Sequence, residues 1–295
     1  MFRFHLARLF LISVFMASSV RCWGISINGF ATLENDRFSN DGSFVGDAFD
    51  FSGVGRSSDS RWGTLVSSNV FISAQHLHPA VGQSLTFYAT NDSSGASVTR
   101  TVVSGQRIGS SDLWVGVLGE PVSSNIKAYS FATTAVSDFA SFQLSPYYLE
   151  NSYMVGRSPT AFTSLIDVAV GRNRLDFYAE DVAVGSTTDD AIVAIYDTVP
   201  LEVDHEAILQ GGDSGAPLLV DVGGNLELVG INWFVGELVG GEDISGFSYL
   251  GNYHAAIEAI IDVNVVSVPE METMAGLLGL CSLLVVMRRR QSIRV

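Results

Sequence analysis

The amino-acid sequence predicts an all-β domain, a sandwich or barrel. Its interior is a succession of short apolar, β-branched runs punctuated by Gly, Ser, Asn and Asp, and helical spacing of apolar residues stands out in one late stretch. Taken in order, the first half offers strands at Thr64–Ser73, Ser84–Ala89, Val98–Val103 and Leu113–Leu118. The second half offers Ser152–Val155, Leu165–Val170, Arg174–Tyr178, Ile192–Tyr196, Ala216–Val220 and Leu226–Trp233. Phe131–Ser145 reads as the crossover between halves, and Asp36–Asp50, rich in Asp, Gly and Ser, as a surface loop. Tyr253, Ile257, Ile260 and Ile261 recur at helical spacing, so a terminal helix is expected to pack on the second half.

Both ends read as targeting segments rather than as parts of the fold. Residues 1–23 place Arg3 before an apolar stretch that ends in Ala17, Ser18 and Ser19, the pattern of a cleaved signal peptide. Residues 265–295 run Val268-Pro269-Glu270, then the uncharged apolar segment Met274–Met287, then Arg288, Arg289 and Arg290. That segment is short for a span, but flanking arginines can snorkel, and a basic cluster after the helix sets its cytoplasmic side. The order of parts resembles the PEP-CTERM sorting signal of Gram-negative bacteria, with Met271 standing where the second proline is expected. The resemblance implies an exosortase-type sorting enzyme as partner. It also implies a precursor held transiently in the inner membrane by this helix alone, and a mature protein that is secreted or at the cell surface.

Composition narrows the functional classes. The cysteines are Cys22 and Cys281, each in a targeting segment, so the domain between holds no internal disulfide. A domain of this size can build its core without such a staple. Of 16 basic and 31 acidic residues, seven arginines and two glutamates lie in the ends. The interior therefore carries 9 against 29, a net −20 that repels nucleic acid.

The chemistry-bearing residues sit at strand boundaries. Gly211-Gly212-Asp213-Ser214-Gly215-Ala216-Pro217 is a tight turn able to hold a hydroxyl beside backbone N–H donors, as acyl transfer requires. The apolar run from Gly63 to Ile72 leads into Ser73-Ala74-Gln75-His76, which puts a histidine just past a buried strand. Asp112 stands immediately before the buried run Leu113–Leu118. A lone serine hydroxyl is a poor nucleophile near neutral pH, so the histidine as base and the acid as its orienting group complete the requirement.

Those segments together resemble the chymotrypsin/trypsin-like serine proteases. GTLVSSNVFISAQH matches the strand leading to the family's histidine, DLWVGVL its acid segment, and GGDSGAP its nucleophile loop. LVGINWF matches the strand lining the substrate cleft, and Tyr253–Asp262 the terminal helix. Gaps of 36 residues from His76 to Asp112 and 102 from Asp112 to Ser214 suit that architecture, and the likeness covers roughly Phe51 to Asn264. The resemblance implies two packed antiparallel β-barrels (trypsin-like) with a short C-terminal helix. The first would be residues 51–140 with His76 and Asp112, the second 141–264 with Ser214, after an N-terminal extension 24–50. It further implies Ser214 as nucleophile, His76 as base, Asp112 as orienting acid, and Gly212 and Ser214 N–H groups as oxyanion hole. Ile208, Trp233 and Phe234 would form an apolar substrate pocket for a protein or peptide, with no cofactor and no metal.

Departures from the family pattern are specific. Gln75 and Leu77 flank His76 where a small residue and a cysteine are usual, and His78 is a nearby rival to His76. No activation sequence of the Arg/Lys-Ile-Val-Gly-Gly type occurs, which leaves the partner of Asp213 open. His205, between Asp204 and Glu206, reads as loop rather than as a metal ligand, and His254 as a residue that caps or packs the terminal helix. Alongside a secreted serine endopeptidase stand two other readings. One is an esterase using the same machinery, and the other a catalytically silent barrel in an exopolysaccharide or biofilm matrix.

Overall fold

The computed structural model describes residues 24–160, 165–197 and 203–264. The expected signal peptide and sorting tail lie outside them. Among the described residues no helix is long and apolar enough to cross a membrane. Chain order begins with β1 (Ser26–Ile27) and the one-turn α1 (Thr32–Asn35). Then come β2 (Val54–Arg56), β3 (Trp62–Leu65), β4 (Val70–Ala74), β5 (Ser84–Tyr88), β6 (Ser97–Arg107) and β7 (Leu113–Leu118). These six strands close into a barrel in the order β2-β3-β4-β7-β6-β5, the last contact being Arg56 opposite Thr86. Closure removes the unpaired edges that an open sheet would expose. Side chains of Leu65, Phe71, Leu85, Phe87, Val102 and Trp114 fill part of the interior. Glycine makes room for them: a Cβ on Gly55 would lie 2.4 Å from the Phe87 ring.

The single strand expected over Thr64–Ser73 is instead the hairpin β3–β4. The run Ser67-Ser68-Asn69 turns it, with Val70 N donating to Ser67 Oγ (3.1 Å), because hydroxyl and amide side chains offer the backbone local partners.

The second half starts with α2 (Phe139–Phe142), capped by Asp138 accepting from Ser141 N. It continues with β8 (Asn151–Gly156), β9 (Ala169–Arg174), β10 (Phe177–Val184), β11 (Thr187–Ile195), β12 (Ala207–Ile208), β13 (Pro217–Val222), β14 (Asn225–Glu237) and β15 (Asp243–Tyr249). Seven of these form an antiparallel sheet in the order β10-β11-β15-β14-β13-β8-β9, and β12 pairs with β1. This half is therefore a seven-stranded sheet and not a second closed ladder. Its edge strands β9 and β10 are consecutive, joined by the corner Leu175–Asp176, where Asp176 N donates to Val193 O (2.9 Å). Strands running on from one another through a bend cannot pair along their length, so the corner curls the sheet without closing its hydrogen bonding. The expected strands at Leu165–Val170 and Arg174–Tyr178 straddle these boundaries. Ile192–Tyr196 falls on the end of β11, but its pairing with β10 as a hairpin and strands β1, β2, β12 and β15 go beyond the sequence reading.

Two further segments depart from expectation. Helix α3 (His254–Asn264) buries Ile257 and Ile261, yet it reaches the first barrel: Asn69 Nδ2 donates to Asn264 O (2.8 Å). Asp36–Asp50 is more than a surface loop. Arg37 is buried, donating to Val54 O (3.3 Å), Tyr88 O (3.0 Å) and Asn91 Oδ1 (3.2 Å), while Asp36 bridges to Ala169 in the other half. Its guanidinium pKa, lowered to about 10 by burial, still leaves it charged at neutral pH. The N-terminal segment is thus a strap laid across both halves.

Candidate active site

His76 and Asp112 meet because their strands pair. In the β4–β7 ladder Ala74 lies opposite Leu113, so the residues just beyond one strand and just before the other come side by side. A single helical turn, Gln75–Leu77, follows β4 and presents His76 to solvent. Gln75 N donates to Asp112 O (2.7 Å) and His76 N to Asp112 Oδ1 (3.1 Å), which fixes the backbone beneath the ring. His76 Nδ1 lies 2.6 Å from Asp112 Oδ2. The Asp112 side chain is 1% exposed and that of His76 42%. An ionised carboxylate can only accept, so Nδ1 carries the hydrogen and Nε2 keeps a lone pair, the tautomer a general base needs. The turn ahead of Asp112 is held by Ser111 Oγ donating to Ile108 O (2.6 Å) and by Arg107 Nε donating to Ser111 O (2.7 Å).

Ser214 sits in the loop between β12 and β13. Gly212 (φ +100°) and Gly215 (φ +90°) take left-handed conformations that L side chains rarely adopt, which is why glycine flanks Asp213-Ser214. Within this loop Asp213 N donates to Gln210 O (3.1 Å), Gly215 N to Asn232 O (3.0 Å) and Ala216 N to Asp213 O (3.1 Å). Among the described residues the N–H groups of Gly212 and Ser214 have no acceptor. The loop abuts the histidine's strand: a Cβ on Gly215 would lie 2.8 Å from Ser73 Oγ and 3.3 Å from Ala74 N. From the barrel, Trp62 Nε1 donates to Gly212 O (3.2 Å), holding the Gly212–Asp213 peptide, whose own N–H is the one bonded to Gln210 O.

Asp213 has its partners in the main chain. It is fully buried, and its carboxyl accepts from Arg157 N (2.7 Å) and Gln210 N (2.7 Å). Burial pushes its pKa up to about 7, against the lowering effect of those two N–H groups and of the nearby Arg56 and Arg157. Arg56 stacks on Trp62, 3.8 Å from the ring centroid, and Arg157 Nε donates to Asp167 (2.8 Å). A layer of charged groups therefore underlies the Gly212–Ser214 turn.

His76, Asp112 and Ser214 line one cavity of about 550 Å³. Among the described residues Ser214 makes no direct hydrogen bond to His76. Catalytic hydrogen bonds are often long without substrate and tighten when it binds. Trp233 and Phe234 line the cavity, their rings edge-to-face with centroids 5.2 Å apart. Ile208 does not line it; Leu209 does. The expected pocket base is thus displaced by one residue, because successive side chains of an extended segment point to opposite sides. Ile208 belongs to the short ladder with Ser26, and Leu209 N is held by Ser245 Oγ (3.1 Å). The tip of hairpin β10–β11, residues 183–187, forms a wall that sequence reasoning missed. The signal was available: Gly185-Ser186 between valine and threonine, with Gly185 at φ +60°, is a two-residue hairpin turn.

The other histidines lie elsewhere. His78 stacks on Trp114, centroids 4.2 Å apart, and among the described residues it faces no carboxylate. His205 is near Glu34 (3.5 Å) and Asn35 (3.4 Å), and His254 opens α3 beside Glu258 (3.8 Å) and the Phe131 ring. Among the described residues no group of three or more His, Cys, Asp or Glu is placed to hold a metal ion.

No protein-family model matches the chain, and no curated protein matches it. Among solved structures it is similar to an inactive, chimeric murine norovirus NS6 protease, with a TM-score of 0.43 and 15% identity. The match covers 67% of this chain and 92% of that one. So distant a likeness says nothing of chemistry.

Proposed function

We propose that the protein is a serine endopeptidase of the trypsin-like class, working through an acyl-enzyme. The observation that carries this reading is the His76–Asp112 couple opening onto the same cavity as Ser214, whose loop leaves two backbone N–H groups without acceptors. Ser214 Oγ attacks the scissile carbonyl, and its proton passes to His76 Nε2. The imidazolium so formed is stabilised by Asp112 and returns the proton to the leaving amine. The carbonyl oxygen, now negative, is received by Gly212 N–H and Ser214 N–H, each such donor being worth about 3 kcal/mol. Water then repeats the sequence on the acyl-enzyme and frees Ser214. Leu209, Trp233 and Phe234 give the cavity an apolar side, which favours aliphatic or aromatic substrate residues.

The tail's likeness to a PEP-CTERM signal and the signal-peptide pattern support a secreted or cell-surface destination in a Gram-negative bacterium, with an exosortase-type enzyme processing the tail. The test is labelling of the purified protein with a fluorophosphonate probe beside a Ser214→Ala control. Labelling lost in the control is the expected outcome. A folded protein that takes no label would sink the enzyme reading in favour of a silent matrix barrel.

A further inference from the structure

Behind the His76–Asp112 couple lies a second buried carboxylate, contributed by the other half of the molecule. Asp189, on β11, is 4% exposed. Its Oδ2 accepts from Asp112 N (3.2 Å), and its Oδ1 accepts from Asp190 N (2.9 Å) and from the Tyr253 hydroxyl. The chain of contacts continues outward. Tyr178 donates its hydroxyl to Asp190 Oδ2 (2.6 Å), and Asn252 Nδ2 donates to the Tyr178 oxygen (2.8 Å). Asn252 Oδ1 in turn receives Val136 N (2.8 Å) from the segment linking the halves. Three donors thus converge on Asp189 from three places: the turn before β7, its own strand, and the turn that opens α3.

We propose that Asp189 is a positioning residue for the candidate site, holding the Asp112 main chain across the junction of the two halves so that the Asp112 carboxylate stays on His76 Nδ1. The geometry gives it that leverage. The peptides on either side of the Asp112 Cα are both held, the following one through its O by Gln75 N and the preceding one through its N–H by Asp189. Rotation of the preceding peptide would swing the side chain off the imidazole. Burial also holds the Asp189 carboxyl above its ordinary range, a destabilising arrangement that a neutral strand residue would avoid. The second half accordingly supplies both the nucleophile and a brace for the acid that serves the base. This inference deepens the reading of Ser214, His76 and Asp112 as a catalytic group and rests on it for its consequence in rate.

The test uses the full chain in wild-type, Asp189→Ala and Asp189→Asn forms, with two readouts. One is the downfield NMR resonance of the His76 Nδ1 proton, assigned by its loss in His76→Gln, and the other is the rate of fluorophosphonate labelling. In Asp189→Ala the resonance broadens or disappears and labelling slows about tenfold, as displacement of a catalytic group by a fraction of an ångström does. In Asp189→Asn both recover in part, because the amide oxygen accepts from Asp112 N while the amide NH2, though able to donate to the Tyr253 oxygen, can no longer accept from Asp190 N. An Asp189→Ala protein that keeps both the resonance and the labelling rate overturns the proposal, as does an Asn variant that rescues neither. Should Asp189→Ala fail to fold, Tyr253→Phe removes one of the two donors to the other carboxylate oxygen and is expected to broaden the same resonance; an unaltered signal there counts equally against the proposal. If the wild type takes no label, the resonance alone decides the positioning role and the enzyme reading fails separately.

Discussion

The two halves of the molecule build the cavity by opposite means. The closed barrel β2–β7 supplies His76 and Asp112 from the ends of paired strands, with main chain and side chains both hydrogen-bonded. The seven-stranded half supplies Ser214 from a loop with two left-handed glycines, and a wall made of a hairpin tip. Under the proposed mechanism, proton transfer tolerates little error in distance and would be served by the more constrained scaffold, whereas the loops would carry the parts that meet a substrate. The junction between the two is where the arrangement is most open to perturbation.

The largest effect is expected from breaking the barrel's own pair. Asp112→Asn should fold normally yet slow turnover about 10⁴-fold, because the amide would favour the wrong imidazole tautomer. Labelling kinetics check this, and an undiminished rate would remove Asp112 from the site.

Next is a pH effect on the other half. The Asp213 carboxyl is raised in the folded chain from 3.8 to about 7, so the folded state holds a proton that the unfolded state releases between those values. Its contribution to stability is present below about pH 4 and is lost as pH rises through about 7, by at most about 4 kcal/mol. Denaturant titrations at about pH 5 and about pH 8 should show that loss in the wild type and a smaller one in Asp213→Asn.

Gly215→Ala tests the junction. The new methyl would press on Ser73 and Ala74 at an unfavourable φ, costing about 2 kcal/mol in a thermal melt. An unchanged melting temperature would mean that the Ser214 loop is not pressed on β4. Trp62→Phe removes the donor to Gly212 O and trims the buried ring on which Arg56 stacks; labelling should slow about fivefold, with a lowered melting temperature from the trimmed ring. A rate equal to wild type would show that the loop holds its shape without the barrel.

The same contrast explains what could be read without coordinates. Strands β7, β13 and the first part of β14 are continuous apolar runs between turn residues and were evident. Strand β10 was not, because Glu180-Asp181 in its middle are exposed at a bulge where Asp181 takes φ +51°. Strand β15 hides behind Ser245, Gly246 and Ser248, buried small residues with no strand signature. His76, Asp112 and Ser214 were legible because each ends or begins a recognisable strand or turn. Asp189 was not, since in the pair Asp189-Asp190 nothing local says which carboxylate turns inward. Ile208 reads as the pocket base although its neighbour Leu209 lines the cavity, because a one-residue shift in an extended segment exchanges the faces. The segment holding Arg37 reads as a surface loop because the carbonyl partners that bury that residue belong to strands contributed by other parts of the chain.

The N-terminal strap has a consequence in time as well as in space. Ser26 and Ile27 pair with Ile208 and Ala207, roughly 180 residues later. During synthesis at about 5–20 residues per second, β1 waits on the order of ten seconds or more for its partner strand to exist. The barrel β2–β7, whose pairings lie within a span from Val54 to Leu118, can close long before that. Docking of β1 is therefore a late step in folding, and the first stretch of the domain to be made is among the last to find its place.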